Sequence, residues 1–95
     1  MLKLEFNKHS LKFIDKLSAR DQKQVFNKLD QLLENPLLLG SIQLKGNIYC
    51  YRRIQVGNKI RLIYLVENDT LVVIAIGYRG DIYKNIPSQD FSESD

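Results

Sequence analysis

The chain has 95 residues, 44% of them hydrophobic and 26% charged, which is the composition of one small globular domain with one core and leaves no room for a second. Its net charge of +3 conceals an asymmetry: residues 1 to 80 carry 13 basic against 7 acidic side chains, a net +6, whereas residues 81 to 95 carry one lysine against four acids, a net −3. A basic body suits a polyanionic ligand such as nucleic acid and, equally, an ordinary solvated surface, while a single cysteine and a single histidine exclude an intramolecular disulfide and argue against zinc.

No secretory signal and no membrane-length apolar run is visible, which points to a cytoplasmic protein with no membrane association. Leu2, Leu4 and Phe6 alternate with Lys3 and Glu5, the period-2 pattern of a strand with one buried face. Asn7 then caps a helix in which Leu11, Ile14 and Leu17 recur at three-residue spacing and Phe13 widens the stripe. His9, in the first turn, reads as a solvated residue. Ser18 followed by Asp21 opens a second helix with the stripe Val25, Phe26, Leu29, Leu32 and Leu33, and Asn35-Pro36 closes it. The short link around Ser18 predicts an antiparallel helical hairpin.

After Gly40, the alternation of Ile42 and Leu44 suggests a brief strand. Three longer strands follow, at Ile48 to Val56, Lys59 to Glu67 and Thr70 to Tyr78, separated by Gly57-Asn58 and Asn68-Asp69. The expected fold is therefore α+β: an N-terminal strand, a helical hairpin, then an antiparallel sheet of three to four strands, all in one domain over residues 1–87. Residues 88–95 form an acidic, frayed tail. Cys50, with no histidine nearby, reads as a small core residue.

Two-residue turns fix register and hence faces. Counting from Gly57-Asn58, Val56 faces Lys59, Ile54 faces Arg61 and Arg52 faces Ile63, so Arg52, Lys59 and Arg61 share one side with Ile54 among them. Counting from Asn68-Asp69, Glu67 pairs with Thr70, Ile63 with Ile74 and Arg61 with Ile76. One face then holds Tyr49, Tyr51, Ile60, Leu62, Tyr64, Leu71, Val73 and Ala75 for the helices to cover. The other adds Ile63, Leu65, Val72, Ile74 and Ile76 to the basic residues, an apolar area that either a partner protein or the chain's own flanks would cover. Strict alternation puts Arg79 on the face opposite Arg61, unless a bulge near Gly77 re-aims it. Converging guanidinium groups grip phosphate oxygens and a tyrosine such as Tyr83 can stack on a base, which suits single-stranded RNA. The same arginines also fit an ordinary exposed strand surface.

Leu44-Lys45-Gly46, Tyr51-Arg52-Arg53, Val56-Gly57-Asn58-Lys59-Ile60-Arg61-Leu62-Ile63-Tyr64 and Gly77-Tyr78-Arg79-Gly80-Asp81-Ile82-Tyr83 together resemble the RelE-type toxins of the RelE/ParE toxin-antitoxin superfamily. The resemblance covers most of the chain and extends to the order of its elements. It implies a ribosome-dependent endoribonuclease, an mRNA interferase, that needs no cofactor. Its partners would be the ribosome, messenger RNA and a cognate antitoxin that neutralises it in a toxin-antitoxin heterotetramer. Cleavage in that family proceeds by attack of a ribose 2′-hydroxyl on the adjacent phosphate. By the same resemblance Arg61 binds the scissile phosphate, Arg79 steadies or protonates the leaving oxygen, Tyr83 stacks on the base, and Lys45, Arg52, Arg53 and Lys59 add RNA or phosphate contacts.

Relatives of this type carry lysines at the positions of Arg52 and Ile54. A guanidinium is a poor proton acceptor and isoleucine carries no charge, so the base is unassigned, with Lys45, Lys59 and a ribosomal group as candidates. ParE-type members share the fold but poison DNA gyrase without a nuclease site. They are the alternative, together with a non-toxic module that only binds an antitoxin.

Overall fold

The computed structural model describes residues 1–38, 40–44 and 51–82. Alternation carries the first strand, β1 (Lys3–Phe6), and Asn7 ends it by capping α1 (Lys8–Asp15), its Oδ1 accepting the Ser10 amide at 2.8 Å. Ser18 caps α2 (Ala19–Glu34) in the same way through the Asp21 amide at 3.2 Å, and Asn35-Pro36 closes it. The Gln22 side chain donates to the Ile14 carbonyl at 2.9 Å and holds the two helices together across their short link. Two predicted stripe residues face outward instead: Leu11 is 46% exposed and Phe26 43%. Ser10, fully buried one turn before Ile14, takes the inward position that the three-residue spacing gave to Leu11.

Four further strands follow: β2 (Ile42–Gln43), β3 (Arg52–Val56), β4 (Ile60–Glu67) and β5 (Thr70–Tyr78). They join β1 in one sheet of order β1-β5-β4-β3-β2, antiparallel except that β1 runs parallel to β5. That parallel pairing was not evident from periodicity, because the two strands are distant in sequence. The predicted start of β3 at Ile48, together with Tyr49 and the core position of Cys50, lies outside the described residues, as does the acidic tail.

The register of the β3–β4 hairpin corrects the sequence-based expectation. Its turn comprises three residues, Gly57, Asn58 and Lys59, so Val56 pairs with Ile60, Ile54 with Leu62, Gln55 with Arg61 and Arg53 with Ile63. Gly57 adopts φ +64, open to glycine at no steric cost. A two-residue turn would set Ile54 opposite Arg61. The longer turn instead aligns Ile54 and Val56 with Ile60, Leu62 and Tyr64 on one apolar face, and burial decides register where a core is at stake.

Asn68-Asp69 does form a two-residue turn, with Asn68 at φ 58, and Glu67 pairs with Thr70 as expected. The regular ladder lasts only to Tyr64↔Val73. A bulge then omits Ile74, so Ile63 pairs with Ala75, Leu62 with Ile76 and Arg61 with Gly77. Ala75 and Ile76 consequently exchange the faces that strict alternation gives them.

The helices cover one face, where Val25, Leu29 and Leu32 meet Ile54, Val56, Leu62, Leu71 and Val73, all at most 2% exposed. Each such side chain contributes roughly 1.5–3 kcal/mol by leaving water. Tyr64 is fully buried there, and its hydroxyl donates to the Pro36 carbonyl at 2.6 Å, tying the end of α2 to the sheet. The opposite face is not bare. Ile63 and Ala75 are covered by Leu44, Tyr51 and Ile82 in a second small core, and only Leu65, Val72 and Ile74 stay half-buried. Tyr51 thus belongs to this face and not to the helix side.

Candidate functional site

The second face is where the basic residues gather, in a set different from the expected one. On β3 the side chains pointing there are Arg53 and Gln55, since Ile54, 2% exposed, lies in the helix-side core. On β4 the face carries Arg61, Ile63 and Leu65, and on β5 it carries Ala75 and Gly77. The Arg79 amide donates to the Lys59 carbonyl at 3.0 Å, which extends the ladder past the last strand residue. Two residues beyond Gly77, Arg79 therefore returns to the side of Arg61, and the bulge at Ile74 is what places it there.

Arg61 is the centre of this arrangement. Gln55 stands directly across from it on one flank and Gly77, which brings no side chain, on the other. Arg53 and Arg79 are its diagonal neighbours, roughly 7 Å away for such pairs. Arg61 is only 9% exposed, whereas Arg53 is half-buried and Arg79 exposed. Both Arg53 and Arg61 already interact with other groups of the chain, which restrains their orientation. Three guanidinium groups within reach of one another can share the oxygens of a phosphodiester, with Arg61 held and Arg79 able to swing.

Arg52 is not part of this face. Its Nη2 donates to the Ser41 Oγ at 2.8 Å and to the Ser41 carbonyl at 3.2 Å, and its Nε to the same Oγ at 3.2 Å. The guanidinium is spent on fastening the segment before β2 to β3. Lys59 also departs from expectation: its Nζ lies 6.0 Å from the centre of the Tyr78 ring, which in turn makes an edge contact with Phe13 at 5.1 Å. It lines a cleft of about 390 Å³ with Arg20, Asp21 and Gln24 at the start of α2, a space that shares no residue with the arginine face. Lys45 and Tyr83 lie outside the described residues.

Sequence reasoning missed Gln55 and named Arg53 as an RNA or phosphate contact without placing it on a face. Both become visible once the apolar positions of β3 and β4 are required to share a face. Among the described residues no group of His, Cys, Asp and Glu could hold a metal ion, and no helix is long and apolar enough to cross a membrane.

The family model described as the ParE toxin of the type II toxin-antitoxin system parDE matches residues 2–83. Comparison with curated proteins finds no match. Among solved structures, the toxin of the intact Escherichia coli RelBE toxin-antitoxin complex is 27% identical, with a TM-score of 0.72 over 82% of this chain and 96% of that one. A double arginine-to-alanine mutant of E. coli RelE in the free state is 26% identical, with a TM-score of 0.74 over 90% of this chain and 93% of that one. The archaeal RelE-RelB complex from Pyrococcus horikoshii OT3 shares the fold at 20% identity, with a TM-score of 0.73 over 83% of this chain and 96% of that one.

Proposed function

This chain belongs to the ParE toxin family of type II toxin-antitoxin systems, within the RelE/ParE superfamily, and from that premise we propose that it is a ribosome-dependent endoribonuclease that cleaves messenger RNA. The observation that carries the reading is the convergence of Arg53, Arg61 and Arg79 on one sheet face. Guanidinium groups on one face suit the phosphate oxygens of a nucleic-acid strand.

In the proposed reaction a ribose 2′-oxygen forms a bond to the adjacent phosphorus while the bond from phosphorus to the 5′-oxygen breaks. The products are a 2′,3′-cyclic phosphate and a 5′-hydroxyl. Negative charge grows on the phosphoryl oxygens in the transition state, and the restrained Arg61 supplies a fixed countercharge at little reorganisation cost. Arg79 steadies the departing 5′-oxygen, which takes up a proton from water to leave as the 5′-hydroxyl, and Tyr83 stacks on the neighbouring base. Arg53 and Lys45 hold flanking phosphates. The 2′-hydroxyl must also lose its proton, and no arginine takes it, because a guanidinium stays protonated. A group of the ribosome fills that role, or Lys45 in its neutral form in place of its phosphate contact. Since Ile54 is a core residue, its lack of charge does not weaken this face; Arg53 and Gln55 are the β3 residues presented to RNA.

We also propose a small cognate antitoxin as partner, supported by the antitoxin-bound relatives from E. coli and P. horikoshii. Half-buried Leu65, Val72 and Ile74, beside the arginine face, would extend its contact area. Induction of the protein alone tests the whole reading: ribosome-bound transcripts are cut soon afterwards, and Arg79→Ala abolishes cutting without unfolding the chain. Because the matching family model is that of ParE, gyrase inhibition without nuclease activity is the second reading. Intact transcripts with stalled replication and gyrase-linked DNA breaks would establish it in place of the first.

A further inference from the structure

We propose that Asn7 sets the register of the β4–β5 hairpin and thereby brings Arg79 to the side of Arg61. Asn7 stands where β1 stops pairing with β5. The parallel ladder runs from Lys3↔Thr70 to Phe6↔Val73, and the next residue of β5 is Ile74. Ile74 is also the residue that the antiparallel ladder omits, because Tyr64 pairs with Val73 and Ile63 with Ala75. An extra residue of this kind loses its place in the ladder, and a buried carbonyl left without a donor costs roughly 1–3 kcal/mol. The Asn7 Nδ2 supplies the donor, reaching the part-buried Ile74 carbonyl at 2.7 Å. Its Oδ1 simultaneously accepts the Ser10 amide at 2.8 Å, so the side-chain amide is fixed at both ends. Serine or aspartate would cap α1 about as well. A side-chain amide carries its acceptor and its donor on separate atoms, which lets Oδ1 cap the helix while Nδ2 reaches the Ile74 carbonyl; aspartate has no donor, and the serine hydroxyl is too short to span both.

The register has a single alternative of comparable simplicity. Without the bulge, the Asn68-Asp69 turn would propagate a regular ladder in which Arg61 meets Ile76 and Leu62 meets Ala75. Arg79 would then fall on the face opposite Arg61, and Ile76, now fully buried under the helices, would turn toward the arginines. Asn7 favours the observed register by donating to the carbonyl of Ile74, the β5 residue that this register leaves out of the β4–β5 ladder. The consequence for RNA cleavage rests on the ribonuclease reading; the register effect does not.

Asn7→Ser and Asn7→Asp, each made in the full chain, keep a capping oxygen and lose the Nδ2 donor to Ile74, aspartate because an ionised carboxylate only accepts and serine because its hydroxyl is shorter. Cross-strand Hα–Hα contacts in the NMR spectrum read the register directly. With Lys59 and Arg79 forming a hydrogen-bonded pair, the close Hα pairs of the native protein are Ile60–Tyr78 and Leu62–Ile76. The variants are expected to show a second set, Ile60–Gly77 and Leu62–Ala75. Ribosome-dependent cleavage should fall in proportion to the fraction of molecules in the second register, in which Arg79 lies on the face opposite Arg61, through kcat and not KM. If both variants retain the native contacts alone, the proposal is wrong. Should neither variant fold, the wild-type protein decides: slow exchange of the Asn7 side-chain amide protons supports the bond, and exchange at the rate of a free amide overturns it. A register change in variants of a protein that cleaves no RNA would uphold this inference and discard the ribonuclease reading.

Discussion

Replacing Ile54 by lysine separates the two hairpin registers more sharply than any other substitution. With a three-residue turn Ile54 is 2% exposed between the sheet and the helices; with a two-residue turn it would sit on the cationic face. Truncating a buried isoleucine costs about 2–5 kcal/mol. Lysine keeps part of the aliphatic volume but brings an ammonium with no carboxylate to meet it in that core, adding several kcal/mol or forcing the group neutral. Against a total of about 5–15 kcal/mol for a domain, Ile54→Lys should leave the protein largely unfolded or close to it. Gln55→Lys, one position along and exposed, should stay within about 0.5 kcal/mol of the parent. Urea unfolding followed by circular dichroism provides the comparison. For a slope of about 1–2 kcal/mol per molar, a loss of about 4 kcal/mol moves the midpoint by roughly 2–4 M. A well-folded Ile54→Lys protein with an unchanged midpoint and tighter RNA binding would refute the register and every face assignment built on it.

Arg52 and Arg53 should behave as opposites despite their adjacency. Arg52→Ala is expected to lower stability by about 1–3 kcal/mol through loss of its bonds to Ser41, with little change in RNA affinity, whereas Arg53→Ala should weaken RNA binding in addition to whatever stability its own contacts within the chain contribute. Thermal melts and a filter-binding titration on the same preparations check both. Among the described residues the fully buried Ser10 Oγ has no hydrogen-bond partner, so Ser10→Ala should raise stability by up to about 1 kcal/mol, visible as an increased melting temperature. Tyr64→Phe removes the donor to the Pro36 carbonyl and should cost about 1–2 kcal/mol in the same assay. Tyr83→Ala is expected to reduce cleavage far more than it reduces stability.

Local signals made the helices and most strand limits legible. Asn7, Ser18 and Asn35-Pro36 act through bonds within three or four residues, so their roles can be read from the chain itself. The strand from Thr70 to Tyr78 was likewise delimited by its flanking turns. The site was harder to read because it depends on parity. One additional turn residue, Lys59, and one additional strand residue, Ile74, each exchange the faces of everything beyond them. The first could have been detected by requiring Ile54, Val56, Ile60, Leu62 and Tyr64 to share a face. The second could not, because the bond that stabilises it comes from Asn7, 67 residues away in sequence. Arg61 and Arg79 were thus identifiable as residue types in a familiar order, while their meeting on one face is a property of the tertiary structure.

Incubation of the purified protein with ribosomes programmed with a defined messenger RNA, followed by mapping of the cut ends, decides between ribonuclease and gyrase inhibitor. Ribosome-dependent cuts that leave a 2′,3′-cyclic phosphate and a 5′-hydroxyl are expected, and they are lost in Arg79→Ala although that variant melts at the wild-type temperature. Messenger RNA that stays intact on the ribosome, while the same protein inhibits gyrase and produces gyrase-linked DNA breaks, would contradict the ribonuclease reading.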